Sequence, residues 1–376
     1  MRVAAVRKMR KMLGFKRFFL CVCNTCCATD GCVCVGVMHM RGGWHRPYGA
    51  LEGKLRVVCG GQVERERFVG IIQTAMAAGC RAVVDVCAFD KDAVRDVVIG
   101  IGSAPAHYIL ISSDSVYMCC LPPAPPGDTA GPGAGGGVRE EAAVRPAAAA
   151  ERARLQARDP YQYAYGSGKL AAEECLAAVR GRTGFRYTSL RLADVCGPRD
   201  NIGAFLRLQA LVSTGMPVPV APPPPPRGGQ GQTARGMRAR RISVVCVDDV
   251  AAAVVAALRA GARVHGESIN VAGPEASFEG FVRAVAAAVD ASCRETPGAG
   301  RVQTRVTFAE HLAALGFPSV DVGPVDTAKA RRLLGPFGWR ASALEDWILP
   351  TVEWNRDGRN AAYTLAFVRR NAAGAP

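Results

Sequence analysis

Two short stretches hold residue types whose chemistry depends on being brought together. The first, Ser112-Ser113-Asp114-Ser115-Val116-Tyr117, follows the apolar run His107–Ile111. The second is Tyr165-Gly166-Ser167-Gly168-Lys169, with a phenol and an ammonium four residues apart. On a helix that spacing stacks both side chains on one face. An ammonium beside a phenol favours the phenolate and lowers a pKa normally near ~10. Tyr165 would then serve as a base for an alcohol proton near neutral pH. A serine hydroxyl across the pocket could hold the same oxygen in place. Singly, each stretch has a plainer reading: Tyr–Lys pairs at this spacing are common, and Ser-Ser at a strand end is ordinary turn chemistry. Their order and structural contexts give them weight jointly.

Those contexts are strands alternating with helices. Cys32–Met38, Leu55–Cys59, Ala82–Cys87, His107–Ser112, Tyr187–Leu192 and Val244–Val247 read as short apolar strands. Between them, Phe68 to Gly79, Asp90 to Ile99, Tyr165 to Arg180 and Asp248 to Arg259 carry helical spacing and stop signals. Such alternation predicts βαβ units in a doubly wound parallel Rossmann sheet, with Ser113 at the carboxyl end of a strand, where open α/β sheets place ligands. Ser268–Val271, Phe278–Val289, Val302–Phe308 and Leu344–Trp354 predict a smaller C-terminal α+β substrate domain. The chain divides into a basic, Cys-rich segment (1–35), a Rossmann domain (36–200) and a mainly substrate-binding part (201–376), from which 242–260 returns to the Rossmann core. Residues 121–150 (Pro, Gly and Ala) and 217–240 (Pro and Arg) read as flexible insertions; the five prolines 222–226 favour an extended polyproline conformation.

The motifs resemble those of an extended short-chain dehydrogenase/reductase of the NAD-dependent epimerase/dehydratase family, over roughly 36–120 and 150–356. Ser113 matches the family's catalytic Ser/Thr before Tyr117, and Tyr165 and Lys169 match its Y-x-x-x-K pair, followed by Glu173 or Glu174. The segment Leu190–Asp200 is similar to "R-x-x-N-V-Y-G-P", Val247–Ala251 to "V-D-D-V-A", Ile269–Gly273 to "Y-N-V-G", and Asp326–Ala330 with Leu334–Trp339 to the closing "D-x-x-K-A…L-G-W". The resemblance implies NAD or NADP as cofactor, with contacts from Arg41, Ala88, Ser112, Tyr165, Lys169 and Ala193. Arg41 would favour the 2′-phosphate of NADP. It also implies Ser113, Tyr165 and Lys169 as catalytic, Asp114 and Arg241 near substrate, a nucleotide sugar or related hydroxyl compound as substrate, and a homodimer formed through helices including the Tyr–Lys helix. The family's opening G-x-x-G-x-x-G loop is missing: near residue 16 the sequence reads Leu13-Gly14-Phe15-Lys16-Arg17-Phe18. Gly61-Gln62 replaces the usual Gly-Asp. Asp114-Ser115 replaces the dehydratase Asp-Glu, which favours epimerisation or reduction over elimination. The alternative is a catalytically impaired relative that binds RNA or a protein.

The net charge of +15 is localised: seven basic residues and no acid in 1–17, five basic and no acid in 227–241. A basic loop attracts phosphate of nucleic acid or of a nucleotide sugar, or is merely solvated. Six of fifteen cysteines crowd into 21–34 and the rest are scattered. Scattered thiols suit a reducing compartment, and no recognisable zinc module is completed, so no metal is expected. No uninterrupted run of 18 apolar residues predicts a membrane span. A cytoplasmic protein is expected, with an organellar address possible because the basic start followed by Phe18–Cys23 resembles a targeting segment.

Overall fold

The computed structural model describes three strands within 18–59, then residues 65–77, 79–86, 88–120, 137–198, 203–219, 241–294, 306, 308–309 and 322–357. Arg41, the expected glycine-loop position near residue 16, and Gly61-Gln62 lie outside the described residues.

A seven-stranded sheet forms the frame. Its strands are β1 (Phe18–Cys23), β2 (Cys34–Met38), β3 (Leu55–Cys59), β4 (Cys80–Asp85), β5 (His107–Ser113), β6 (Tyr187–Leu192) and β11 (Glu267–Val271), in the order β11-β6-β5-β4-β1-β2-β3. β4, β5, β6 and β11 run parallel, with Ser113 opposite Leu192 and Val271 opposite Leu192 on the next strand. β2 and β3 are parallel to one another. β1 alone is reversed, antiparallel to both β2 and β4, with Phe19 opposite Asp85. The sheet is thus the expected Rossmann frame with one inverted strand. Phe18–Cys23, which resembles part of a targeting segment in the sequence, is built into the sheet.

Both faces of the sheet are covered, which is why its strands read as continuous apolar runs. Along β5 the side chains alternate by face. Tyr108 and Leu110 pack with Ile72 of helix α1 (Arg65–Ala77), Val94 and Val97 of α2 (Lys91–Ile101) and Leu176 of α4 (Pro160–Thr183). Ile109 and Ile111 pack with Val250 and Val254 of α6 (Val247–Ala260), with Leu334 of α8 (Ala328–Leu334) and with Trp339. The α2 helix begins where expected: the Asp90 carboxylate accepts from the backbone N–H of Asp92 and Ala93. Helix α4 is capped by Asp159, opens on Pro160 and ends at Gly184 in the left-handed region. The short helix α3 (Ala149–Arg158) precedes it.

A second core lies in the C-terminal part. Helices α5 (Ala204–Thr214), α7 (Phe278–Arg294) and α9 (Leu344–Arg356) enclose Phe205, Phe281 and Trp347, whose ring centroids are 5.9 to 6.3 Å apart. Short strands tie the two parts together: β7 (Asp194–Cys196) is parallel to β10 (Val244–Cys246), and β9 (Arg241–Ile242) is antiparallel to β12 (Ala276–Ser277). β8 (Val218–Pro219) pairs with β13 (Phe308–Ala309).

One boundary differs from the sequence expectation. Residues 137–150, read as the end of a flexible insertion, are held in place. Val138 bridges to Val325, its N–H donates to the Pro324 carbonyl at 2.7 Å, and its own carbonyl accepts from Asp326 N at 2.9 Å. Composition concealed this because the partners lie far downstream in sequence.

Candidate active site

The site forms where β4 and β5 end and α4 crosses them. Asp85, the last residue of β4, is buried; one carboxylate oxygen accepts from Ala88 N at 2.9 Å and the other from Tyr108 OH at 2.8 Å. This pins the turn Ala88-Phe89 against the strand end. On β5, Ser113 caps a 3-10 turn (Asp114–Cys119) by accepting from Ser115 N at 3.1 Å. Its hydroxyl also lies 3.1 Å from Ser115 Oγ and 3.4 Å from Asp114 Oδ1.

Helix α4 reaches both turns because two glycines face them. A Cβ on Gly166 would stand 1.9 Å from the Ser115 carbonyl oxygen, and one on Gly168 would stand 2.5 Å from that of Phe89. Neither distance admits a carbon atom, so the glycines in Tyr165-Gly166-Ser167-Gly168-Lys169 set how closely the helix lies on the strand ends. That approach sets Tyr165 beside Ser113, close enough for the serine to act on its phenol. It also buries Lys169, whose ammonium donates to the Ala88 carbonyl at 2.7 Å and to that of Ile111 at 2.8 Å. The Phe89 ring lies 5.2 Å from the ammonium and the Tyr165 ring 5.9 Å.

The electrostatics correct one expectation. The Tyr165 phenol is raised from its ordinary value to about 12, chiefly by burial. The Ser113 hydrogen bond pulls it down, while Asp114, Tyr161 and Asp194 push it further up. Lys169, for its part, directs two N–H bonds at backbone carbonyls.

Below the site is a buried ion pair. Arg191 of β6 grips Glu173 of α4 through Nε (3.1 Å to each carboxylate oxygen) and Nη2 (2.7 Å), and both side chains are 5% exposed. Glu173 also accepts from Ser112 Oγ at 2.6 Å and Ser268 Oγ at 2.9 Å. Arg191 Nη1 donates to Tyr117 OH at 3.0 Å and to the Glu140 carbonyl at 2.8 Å. Tyr117 donates to Asn270 Oδ1 at 2.7 Å, and the Asn270 amide reaches the carbonyls of Val138 and Asp326. A buried charge pair holds only when its remaining lone pairs and protons are also satisfied, and here those partners come from the ends of β5, β6 and β11.

The sequence-derived residues therefore separate. Ser113, Tyr165, Lys169 and Asp114 converge. Ser112 turns away, into the Glu173 network. Ala88 and Ala193 are buried; the first offers its carbonyl to Lys169, and the second donates its N–H to Val271 O at 3.2 Å. Arg241 is exposed on β9 and ion-paired with Glu275. Of the two candidate glutamates, Glu173 faces inward, whereas Glu174 pairs at the surface with Arg145 at 2.8 Å. Sequence reading missed the joint role of Arg191, Tyr117 and Asn270: all three stand in recognised motifs, yet their bonds span up to 153 positions. It also missed Phe89, whose only signal is an aromatic residue next to a strand end.

A groove lies elsewhere, on the outer side of α2 and α4. It encloses about 610 Å³ and carries Lys91, Arg95, Arg145 and Arg182 around a single acid, Glu174. Among the described residues there is no group of three or more His, Cys, Asp or Glu that could hold a metal, and no helix is long and apolar enough to cross a membrane.

The frame is thus a Rossmann sheet with Ser113, Tyr165 and Lys169 gathered at its strand ends. Residues 142–272 match the family model described as the NAD dependent epimerase/dehydratase family. No curated protein matches it in sequence. Among solved structures it is similar to UDP-glucuronic acid 4-epimerase from Bacillus cereus in complex with NAD, with 16% identity over 86% of this chain and 90% of that one and a TM-score of 0.53. WbmH from Bordetella bronchiseptica, in complex with NAD+, gives 17% identity over 86% and 90%, with a TM-score of 0.55. DesIV, a dTDP-glucose 4,6-dehydratase from Streptomyces venezuelae with NAD and TYD bound, gives 17% over 82% and 81%, with a TM-score of 0.51. At these identities the likeness is one of fold.

Proposed function

We propose that the chain is an NAD(P)-dependent epimerase or reductase acting on a hydroxyl of a nucleotide sugar, through Ser113, Tyr165 and Lys169. The observation that carries this is the convergence of the three side chains on one crevice, made possible by Gly166 and Gly168. The donor set fits the nicotinamide riboside end of the cofactor: Lys169 supplies N–H donors for ribose hydroxyls, and the carboxyl ends of β4 and β5 form the floor. When bound, the nicotinamide would supply the hydride acceptor and donor.

The residues divide the proton work. Ser113 holds the reacting oxygen by a hydrogen bond. Tyr165, with its phenol raised to about 12, enters the cycle protonated at neutral pH. It is therefore poised to donate to the oxygen of a carbonyl being reduced. Removing an alcohol proton requires the phenolate, which a ribose-bound Lys169 turned toward Tyr165 would favour. The test is to incubate the full chain with NAD+ or NADP+ and a set of UDP- and dTDP-hexoses, and to resolve the products by chromatography. Conversion by the wild type, abolished in Tyr165→Phe with an unchanged melting temperature, supports the reading. Retained turnover in that variant refutes it.

A further inference from the structure

The exposed aromatic side chains near the site have a second use. Most aromatic rings among the described residues are packed in cores, but Phe89 is 45% exposed and Tyr161 77% exposed. Both flank Tyr165. The Phe89 ring centroid is 5.9 Å from that of Tyr165, and Tyr161 precedes Tyr165 by four positions on α4, so it shares its helix face. Phe89 is also fixed. Its backbone follows Ala88, which Asp85 pins at 2.9 Å, its own carbonyl is covered by Gly168, and its ring lies beside the buried Lys169 ammonium. Covering the exposed part of a ring already held in place removes apolar surface from water with little further loss of side-chain freedom. Its place is the carboxyl edge of the sheet, where ligands bind.

We infer that Phe89, aided by Tyr161, is a stacking platform for the planar heteroaromatic ring of a nucleotide ligand at the Ser113–Tyr165–Lys169 crevice. The inference rests on the proposed function and names the group that this edge recognises. Such stacking needs no hydrogen bonds to the ring, so it accepts a pyrimidine base or a nicotinamide.

Three fragments sharing a ribose phosphate separate the sources: uridine monophosphate, nicotinamide mononucleotide and ribose 5-phosphate, each titrated calorimetrically into wild type, Phe89→Ala, Phe89→Trp and Tyr161→Ala. Phe89→Ala should weaken whichever ring-bearing fragment the platform holds by roughly tenfold. It should leave ribose 5-phosphate unaffected, and Phe89→Trp should restore binding. A smaller loss is expected for Tyr161→Ala. Equal weakening of all three fragments, or none, overturns the platform while leaving the proposed function standing. If the wild type binds no ring-bearing fragment and also gives no turnover, both readings fall. Phe89→Ala must melt with the wild type, as its exposure predicts; if it does not, Phe89→Trp and Tyr161→Ala carry the comparison.

Discussion

The same strands bury polar groups at both ends, and the two ends solve the problem differently. At the carboxyl ends of β5 and β6, Glu173 and Arg191 are buried as ions that neutralise one another, with serine, tyrosine and carbonyl partners completing each. At the amino ends, His107 is buried with only positive company. Its Nε2 lies 2.9 Å from Thr188 Oγ1, which donates to the Val264 carbonyl at 2.6 Å, so Nε2 is the donor. The His265 ring lies 4.6 Å away edge-on. Burial first, then His265 and Arg186, lower the His107 pKa from 6.5 to about 3. One end keeps its charges because they are paired; the other excludes charge altogether.

The comparison breaks hardest at Arg191. Arg191→Met leaves Glu173 buried without a counter-charge and should cost about 3–5 kcal/mol in urea unfolding. Pairing it with Glu173→Leu should return part of that loss, which distinguishes an ion pair from mere packing. At the opposite end the effect depends on pH. Because the folded His107 binds its proton far less readily than the unfolded one, its contribution is complete above 6.5 and is lost as pH falls from 6.5 to about 3. The loss is on the order of 5 kcal/mol at most, and His107→Gln should flatten that limb of the stability profile.

Gly166→Ala probes the site with less damage. The added methyl must push α4 away from Ser115, at roughly 1–3 kcal/mol, and turnover should fall further than stability because Tyr165 moves from Ser113. A subtler change comes from Asp114→Asn. Alcohol oxidation should climb with pH toward about 12 while ketone reduction stays flat near neutrality. Removing the Asp114 charge should shift the oxidative limb to lower pH, and an unmoved limb would deny Asp114 its electrostatic role. The smallest effect concerns association. Any pairing of two copies over the groove of Lys91, Arg95, Arg145 and Arg182 brings like charges together, so sedimentation should show it tightening, not loosening, as salt screens them.

The carboxyl-end site was largely readable because its residues are grouped by type within short motifs, and strand ends are marked by apolar runs giving way to Ser, Asp and Gly. Elements β4, β5, β6 and α4 follow from that pattern, whereas β11, read as part of the smaller C-terminal domain, joins the main sheet beside β6. What was hidden depends on distant pairing. His107, Thr188 and Val264 meet across strands with no local signal, and Val138 is ordered by Pro324 and Asp326. The inversion of β1 was equally hidden, since an apolar hexapeptide has no preferred direction until its neighbours are known. Periodicity likewise identifies Lys169 as a neighbour of Tyr165, but not that its protons would go to Ala88 and Ile111.

The inverted strand has a practical corollary. With Phe19 opposite Asp85 and Cys23 opposite Cys80, the first residues of β1, not its last, lie beside the carboxyl end of β4. A backbone change at the start of β1 would thus be felt beside the carboxyl end of β4, and one at its finish beside that strand's amino end.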